Sequence, residues 1–305
     1  MNRAKSPLVS SHRMLRLTRV TWLGLFVTGL FLLPAIADEK EGMPDLAQID
    51  QTCLPTSTAN LIIWFGLHGY PKLIVPGDNR QDGYIHTVRR LMAATDANYD
   101  WGTRPDKIAD GIKKYIEEAG YDGDTEFRGL GMKPFTADWL KENDDPNKGF
   151  ILLLAYCAHD QNTDTFTNAW NAGHAVTLVN AMPDMLLVHD PAHYEDETGR
   201  KILTPEVLTG GTWRSREGNM PVAGLMLVSG SLLDTPPNAG VMLIGAVCVT
   251  MHSSSDKIAS STFGVAGGPN STIAGGPASA PSTPAAPVSA TKGWVQWIFN
   301  LLFSK

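Results

Sequence analysis

Helical periodicity dominates residues 55–119. Apolar side chains recur there at intervals of three and four positions, which is the spacing of an amphipathic helix with one buried face. Gly69 and Pro71 follow the first run, whereas the last run has Pro105 in its first turn and Gly120 at its end. The pattern predicts three helices, over residues 55–67, 83–94 and 105–119.

Short apolar runs bounded by turn residues replace this periodicity in the second half of the chain. Runs of this kind are typical of β-strands. They predict five strands, over residues 150–156, 174–180, 185–189, 224–228 and 241–249. Because the helices come first and the strands afterwards, rather than in alternation, the order predicts an α+β domain and not a doubly wound sheet.

The amino-terminal residues have the order of a secretory signal peptide. Five basic residues and no acidic residue accompany an apolar run over residues 20–33, and Ala35 and Ala37 form a small-residue cleavage pattern. The alternative is an uncleaved membrane anchor, since residues 20–37 approach the length that spans a bilayer. In both cases we expect export to the periplasm, the cell envelope or the cell exterior, with residues 1–37 as the signal.

The carboxyl-terminal residues are equally distinct. Gly, Ala, Ser, Thr and Pro supply 30 of the 38 residues in 253–290, which predicts a disordered linker. Residues 291–305 read as an amphipathic helix with one thin polar stripe, too short to cross a membrane. This helix could lie on a membrane or envelope surface, dock on a protein, or fold back onto its own domain. That domain is predicted to comprise residues 38–252.

Charge and cysteine content exclude two classes of protein. The chain has 31 acidic and 25 basic residues, and a net charge of −6 is incompatible with the basic surface that nucleic-acid binding requires. Three cysteines are too few for a disulfide scaffold. Cys157 and Cys248 could pair with each other or remain two buried thiols, and we expect Cys53 to stay unpaired.

Cys53 is the first residue that could carry chemistry. It lies two residues before Pro55, close to the predicted start of the first helix. The helix dipole and the free backbone N–H groups at a helix start favour thiolate over thiol. An ordinary buried cysteine is the alternative, but the polar residues that precede Cys53 argue against deep burial.

His174 and Asp190 are the other two such residues. His174 follows Gly173 and opens a predicted strand, where an imidazole could act as general base and then as general acid. Asp190 ends the next strand, directly before Pro191, and could accept the second imidazole proton. Singly, each has a structural alternative, as a strand-end histidine and a turn-forming aspartate. With Cys53 they make up the parts of a cysteine nucleophile.

With these motifs the chain resembles the papain-like cysteine peptidases. It is most similar to the branch of bacteriocin-leader peptidases, the peptidase family C thirty-nine-like domains. The matching motifs are Cys53 with Pro55, Gly173-His174 and Asp190-Pro191. The resemblance implies a papain-like fold, in which a helical amino-terminal half packs on an antiparallel carboxyl-terminal sheet with the active site between them. It also implies a Cys53–His174–Asp190 triad.

Two positions depart from the pattern of that branch. The branch usually has Gly after the nucleophile, where this chain has Leu54, and an oxyanion-binding Gln six residues before it, where this chain has Ala47. The oxyanion donor would then be Gln48, or alternatively Gln51. We prefer Gln48, because the loss of one residue from the entering loop is easily accommodated.

The leading prediction is an exported cysteine peptidase that hydrolyses peptide bonds through a thioester acyl-enzyme. An amidase or transpeptidase with the same triad is one alternative. A non-catalytic surface-binding module is another, which Leu54 and the displaced glutamine favour. We expect a monomer that acts on a peptide or protein substrate and does not bind nucleic acid.

A metal site is a further interpretation of the residues around Asp190. His189, His193 and Glu195 carry suitable ligand atoms. Pro191, however, prevents the continuous helix that would bring the two histidines to one face, and no cysteine pair supports such a site. We therefore expect no metal and no cofactor.

Overall fold

The computed structural model describes residues 40–97, 103, 105–193, 198–215, 218–230, 232 and 239–252, apart from the side chains of residues 105, 106 and 170–172. The predicted signal peptide (1–37), linker (253–290) and terminal helix (291–305) lie outside these residues. Within the described part of the chain, the helices come mainly before the strands.

Four α-helices occur in the described residues, and the first of them runs through the interior. They are α1 Cys53–Leu67, α2 Arg80–Ala94, α3 Pro105–Glu118 and α4 Ala137–Lys141, with short 3₁₀ turns at Pro71–Leu73 and Glu142–Asp144. Every residue of α1 between Leu54 and Gly66 is buried, as expected of a helix that is apolar or small on all sides. Among the described residues, no helix combines the length and the apolar character needed to cross a bilayer.

Six strands of the described chain close into a barrel. The nine strands are β1 Gly123–Gly129, β2 Lys148–Asp160, β3 Thr165–Met182, β4 Met185–His189, β5 Arg200–Val207, β6 Thr212–Ser215, β7 Gly218–Pro221, β8 Met226–Gly230 and β9 Gly240–Met251. The ring runs β2-β3-β4-β5-β8-β9 and returns to β2, with every pairing antiparallel. Closure of this kind removes the edges that an open sheet would expose.

Three strands extend the barrel at its sides. β1 pairs with β9, β6 pairs in parallel with β3, and β7 pairs with β6. The core lies both inside the barrel and between the barrel and the helices, and it forms one continuous apolar cluster.

The wall formed by β2 and β9 shows how the helices attach to the barrel. Both strands are buried on both faces over most of their length, because one face points into the barrel and the other is covered. Gly149 in β2 has no room for a Cβ atom, since the side chain of Leu61 in α1 lies against it. α1 therefore packs directly on the barrel, with its first residue near the wall.

The predicted papain-like α+β fold is wrong. We expected a helical half packed on an antiparallel sheet, whereas the described chain is mostly antiparallel strand, with a closed six-stranded barrel and four α-helices. β1 lies between the last predicted helix and the first predicted strand, where no element was predicted. The apolar pattern locates strands but not their partners. Closure depends on Lys148 pairing with Thr250 from the far end of the described chain.

The individual helices and strands agree with the sequence pattern better than the overall fold does. The three predicted helices correspond to α1, α2 and α3, and the five predicted strands to β2, β3, β4, β8 and β9. β1, β5, β6, β7 and α4 were not predicted. β5 shows the reason: Leu203 is its one buried residue, while Ile202 and Val207 are exposed, so the strand contains no apolar run.

Candidate active site

A tight turn leads into α1 and leaves Cys53 as the first residue of the helix. Asp50 adopts a left-handed backbone conformation with φ of 51°, which aspartate tolerates better than most residues. The Thr52 hydroxyl donates to the Ile49 carbonyl (2.7 Å) and accepts from the Ile49 N–H (3.1 Å). Cys53 itself is half-buried, so its thiol is fixed at the helix start and remains accessible to solvent.

The His174 ring lies between Cys53 and Asp190. The ring is buried on β3, and its Nε2–H donates to Asp190 Oδ1 over 2.7 Å. The Cys53 side chain lies beside the same ring, where it helps to raise the pKa of the imidazole. The structure thus brings together the three residues that the motifs singled out, with the imidazole in the middle.

Asp190 is fully buried directly after β4. Besides the His174 ring, its Oδ1 accepts the Ala192 N–H (2.9 Å), and its own backbone N–H donates to the Gly199 carbonyl (2.7 Å). A buried carboxylate is tolerated only where donors compensate its charge. These bonds fix the carboxylate in place, and the carboxylate in turn fixes the orientation of the imidazole.

The surroundings of His174 favour the charged form of its ring. Burial alone would lower the pKa of the imidazole, but the hydrogen bond to Asp190 and the adjacent Cys53 side chain, together with their charges, outweigh burial and raise that pKa to about 10. A charged imidazole can act as an acid and, after it loses its proton, as a base. The arrangement therefore places an acid–base group beside a potential nucleophile.

Two buried hydrogen bonds fix α1 against β3 beside these residues. The Ser57 hydroxyl, one turn after Cys53, donates to the Ala175 carbonyl (2.9 Å), and the Thr177 hydroxyl donates to the Ser57 carbonyl (2.7 Å). Both side chains are fully buried. Since Ala175 follows His174 directly, the two bonds set the rotation and height of the helix relative to the strand. They thereby position the sulfur against the ring.

The two glutamines proposed as oxyanion donors lie in different surroundings. Gln48 is half-buried, its backbone N–H donates to the Pro191 carbonyl (2.7 Å), and no described group pairs with its Oε1. Gln51 is exposed on the turn before α1. Gln48 is thus tied to the loop that follows Asp190, whereas the oxyanion role of either side chain stays a prediction. Leu54, which departs from the resemblance, is buried in the core.

A second His–Asp pair supports the loop after Asp190, and the sequence analysis missed it. Asp45 Oδ2 accepts from the Gly199 N–H (2.8 Å) and the Thr198 hydroxyl (3.2 Å), and Asp45 Oδ1 lies 3.3 Å from His193 Nε2. Gly199 cannot carry a side chain, because Asp45, His193 and backbone atoms surround it. These contacts fasten the loop after β4 to the loop before α1. Asp45 stands in no motif, so no spacing indicated it.

Metal ligation was one interpretation of His189 and His193. The His189 Nδ1–H donates to the Pro44 carbonyl (3.0 Å), and His193 faces Asp45. Across the described residues, no group of three or more His, Cys, Asp or Glu side chains is arranged to hold a metal ion. Glu195 lies outside the described residues.

Cys157 and Cys248 are free, buried thiols. They stand on neighbouring strands, but Cys157 is opposite Gly240 and Cys248 is opposite Phe150. Seven residues separate Phe150 from Cys157 along β2, which at about 3.3 Å per residue is roughly 23 Å. A disulfide needs Cα atoms within about 4.4–6.8 Å, so these two residues cannot pair. Cys53 is also free.

No family model matches this chain, and no curated protein matches it. The geometry of Cys53, His174 and Asp190 is therefore the basis for assigning a function.

Proposed function

We propose that the protein is an exported cysteine peptidase that hydrolyses peptide bonds through Cys53, His174 and Asp190. The observation that carries the proposal is the buried His174 ring, which hydrogen-bonds Asp190 and has the Cys53 side chain beside it. A nucleophile, a base and a group that orients the base are the parts that acyl transfer by a thiol requires. Export rests on the sequence of residues 1–37.

The first half-reaction forms an acyl-enzyme. His174 holds the proton of the Cys53 thiol, and the resulting thiolate attacks the carbonyl carbon of a peptide bond. A C–S bond forms and the carbonyl oxygen becomes an anion. The Nδ1–H of the imidazolium then protonates the leaving amine while the C–N bond breaks. The products are a thioester on Cys53, a free amine and a neutral imidazole.

The second half-reaction releases the acyl group. The neutral His174 ring takes a proton from water, and the hydroxide attacks the thioester carbonyl. The C–S bond breaks, the carboxylic acid leaves, and the imidazolium again faces the thiolate. Asp190 stays ionised throughout and stabilises the imidazolium through Nε2–H.

The oxyanion of both half-reactions needs donors. The Cys53 N–H belongs to the first turn of α1, where backbone N–H groups lack intrahelical acceptors, and the Gln48 side-chain amide is the second donor. Loss of one oxyanion donor typically costs about 2.7–4 kcal/mol of transition-state stabilisation. Gln48→Ala should therefore lower kcat by about 10²–10³, with Gln51→Ala as the matched control. Equal losses in the two variants would reject Gln48 as the donor.

Alkylation near pH 6 tests the proposed nucleophile, and the chain contains its own controls. We expect iodoacetamide to modify Cys53 about tenfold faster than free cysteine, because little free thiol is ionised at this pH. Cys157 and Cys248 are buried and should remain unmodified. Replacing His174 with Ala should remove the advantage of Cys53. Peptide mass spectrometry of a time course measures all three thiols in one sample.

Product analysis tests the reaction type. The purified chain should hydrolyse a mixture of peptides, and Cys53→Ala should abolish hydrolysis. Products in which an added amine replaces water would instead assign a transpeptidase, and binding of peptides without turnover would assign a binding module. The proposal fails if Cys53 reacts no faster than free cysteine and Cys53→Ala leaves hydrolysis intact.

Residues 291–305 suggest where the enzyme acts. We propose that this apolar segment associates with the surface of a membrane or of the cell envelope, since its sequence is predominantly apolar. Deleting residues 291–305 should move the protein from the envelope fraction to the soluble fraction. Unchanged partitioning would contradict this role.

A further inference from the structure

A cleft of about 730 Å³ opens near the proposed triad, and of its lining residues the mechanism above uses only Gln48. One face of α2 forms its first wall, with Gln81, Ile85, Val88, Arg89 and Met92. The other wall contains the loop of residues 45–49, Thr52 and Thr56 around the start of α1, and His193. Cys53, His174 and Asp190 do not line the cleft themselves, but Gln48 belongs to this loop and Thr52 precedes Cys53, so the cleft is adjacent to the proposed site of reaction.

The walls of the cleft include apolar side chains that are not fully buried in the core. Ile49 is 63% exposed, and Ile85 and Val88 are half-buried, Val88 against the core. Apolar side chains that line a concavity, rather than a flat surface, are typical of a ligand-binding site. The occupant of the cleft should accordingly bring apolar groups of its own.

A carboxylate, Asp45, and a guanidinium, Arg89, both line the cleft, and their surroundings differ. The Asp45 carboxylate already accepts two hydrogen bonds, from Gly199 and Thr198, and lies against His193. Arg89 is exposed and makes no hydrogen bond or ion pair with another described residue. The negative charge of Asp45 is thus compensated within the wall, while the guanidinium of Arg89 is available to a ligand.

We propose that this cleft binds a segment of the peptide substrate in which an acidic side chain stands next to apolar residues. This inference rests on the proposed peptidase function and specifies the class of peptide. Arg89 would bind the carboxylate with two parallel N–H donors, which is the geometry that a guanidinium favours, while Ile49 and Val88 contact the apolar neighbours. Residues 291–305 are a poorer occupant, because they include two lysines and no acidic side chain.

Binding by the full chain with Cys53→Ala tests the cleft without turnover. The probe is a pool of random dodecapeptides with acetylated and amidated ends, and mass spectrometry identifies those that the protein retains. We expect retained peptides to be enriched in Asp or Glu beside apolar residues. In the same background Arg89→Glu should weaken binding of the best acidic peptide about tenfold, the effect of losing one charge-assisted contact and adding a repulsion.

Arg90 offers a matched control. It is the next residue of α2, is equally exposed, and pairs with Glu118 over 3.3 Å rather than lining the cleft. Arg90→Glu should change the affinity for the same peptide less than about twofold. Circular dichroism melts establish that both variants remain folded, which is expected for exposed positions.

The possible results separate the cleft from the catalytic proposal. No enrichment of acidic peptides, or equal losses in Arg89→Glu and Arg90→Glu, overturns the inference about the cleft. Hydrolysis of peptides by the unaltered chain is measured separately. Hydrolysis without selectivity for acidic peptides would support the peptidase proposal and contradict the proposed role of the cleft. Selective binding of acidic peptides without hydrolysis would support the cleft as a binding site and contradict the peptidase proposal.

Discussion

The chain has one cysteine at a helix start, Cys53, and two in the barrel strands, Cys157 and Cys248, here called the barrel thiols; their surroundings are opposite in character. Cys53 is half-buried at the start of α1 and lies beside the His174 ring. Cys157 and Cys248 lie within β2 and β9 among apolar side chains, where desolvation raises the pKa of each thiol to about 11. Both barrel thiols are therefore neutral in the folded protein at physiological pH.

The contrast shows what the fold adds to a cysteine. In the barrel the backbone groups around a thiol pair with neighbouring strands, and apolar neighbours exclude water. At the start of α1, backbone N–H groups lack acceptors within the helix, and a basic ring supported by Asp190 lies beside the sulfur. The reactivity of each thiol depends on these neighbouring groups. Substitutions of the neighbours should therefore affect Cys53 and the two barrel thiols differently.

The largest expected difference comes from removing the thiols themselves. Cys53→Ala should lower kcat/KM for peptide hydrolysis at least about 10⁴-fold, as loss of a covalent nucleophile does. Cys157→Ala removes a chemically identical group and should leave kcat/KM within about twofold, because its sulfur lies in the barrel wall. Initial rates with a single fluorogenic peptide measure both. Comparable losses would show that the two regions do not differ as proposed.

Neutralising Asp190 should have the next largest effect. Asp190→Asn retains the shape of the side chain but removes the charge that stabilises the His174 imidazolium, so kcat should fall by about 10²–10⁴. The matched control is Asp124→Asn, since Asp124 pairs with His252 at 2.9 Å on the surface. Steady-state kinetics should show no change there. If kcat fell in both variants, the short His–Asp distance that the two pairs share, and not the burial of Asp190, would determine the loss of activity.

The high pKa of His174 also predicts an alkaline limit for the enzyme. The leaving amine needs the charged ring as its acid, and that form is lost as the pH rises through about 10. We expect kcat/KM to be maintained between about pH 7 and 9 and to decline beyond about pH 10. A decline centred near 6.5, the ordinary value for histidine, would contradict the effect of Asp190 and Cys53 on the ring.

Removing one of the hydrogen bonds between α1 and β3 should have a smaller effect, on the stability of the fold and on the reactivity of Cys53. Thr177→Val loses the donor to the Ser57 carbonyl and should reduce the free energy of unfolding by about 1–3 kcal/mol. It should also slow alkylation of Cys53, because the helix is less firmly positioned. Thr58 is the control, since no described group hydrogen-bonds its buried hydroxyl. Urea denaturation should show Thr58→Val to be neutral or stabilising; the opposite ranking would reject the positioning role.

The smallest expected effect is the pH dependence contributed by the barrel thiols. Their raised pKa means that the folded state keeps them neutral, while the unfolded chain ionises them from about pH 9 upwards. Their contribution to stability is thus complete below about pH 9 and is lost towards about pH 11. Cys157→Ala should lessen this alkaline loss by on the order of 1–2 kcal/mol. Denaturation at a series of pH values, compared with the unaltered chain, measures the difference.

The sequence could predict features that depend on neighbouring residues but not features that depend on contacts between distant parts of the chain. The runs that became α1, β3 and β4 are visible in the apolar pattern, and each motif residue lies at the end of such a run. β5 could not be predicted, because it buries a single side chain. The barrel could not be predicted either, because no local sequence pattern indicates that β2 pairs with β9. Asp45 acts through contacts with Thr198, Gly199 and His193, which no short spacing encodes.

The position of β9 in the chain has a consequence for the timing of assembly. β9 pairs with β1, β2 and β8, yet it is the last strand of the described chain. An emerging polypeptide that has delivered Cys53, His174 and Asp190, but not residues 240–251, still has an unpaired edge along β2. A chain that lacks this strand cannot close the barrel on which α1 packs, so the closed barrel forms only after residues 240–251 have been added.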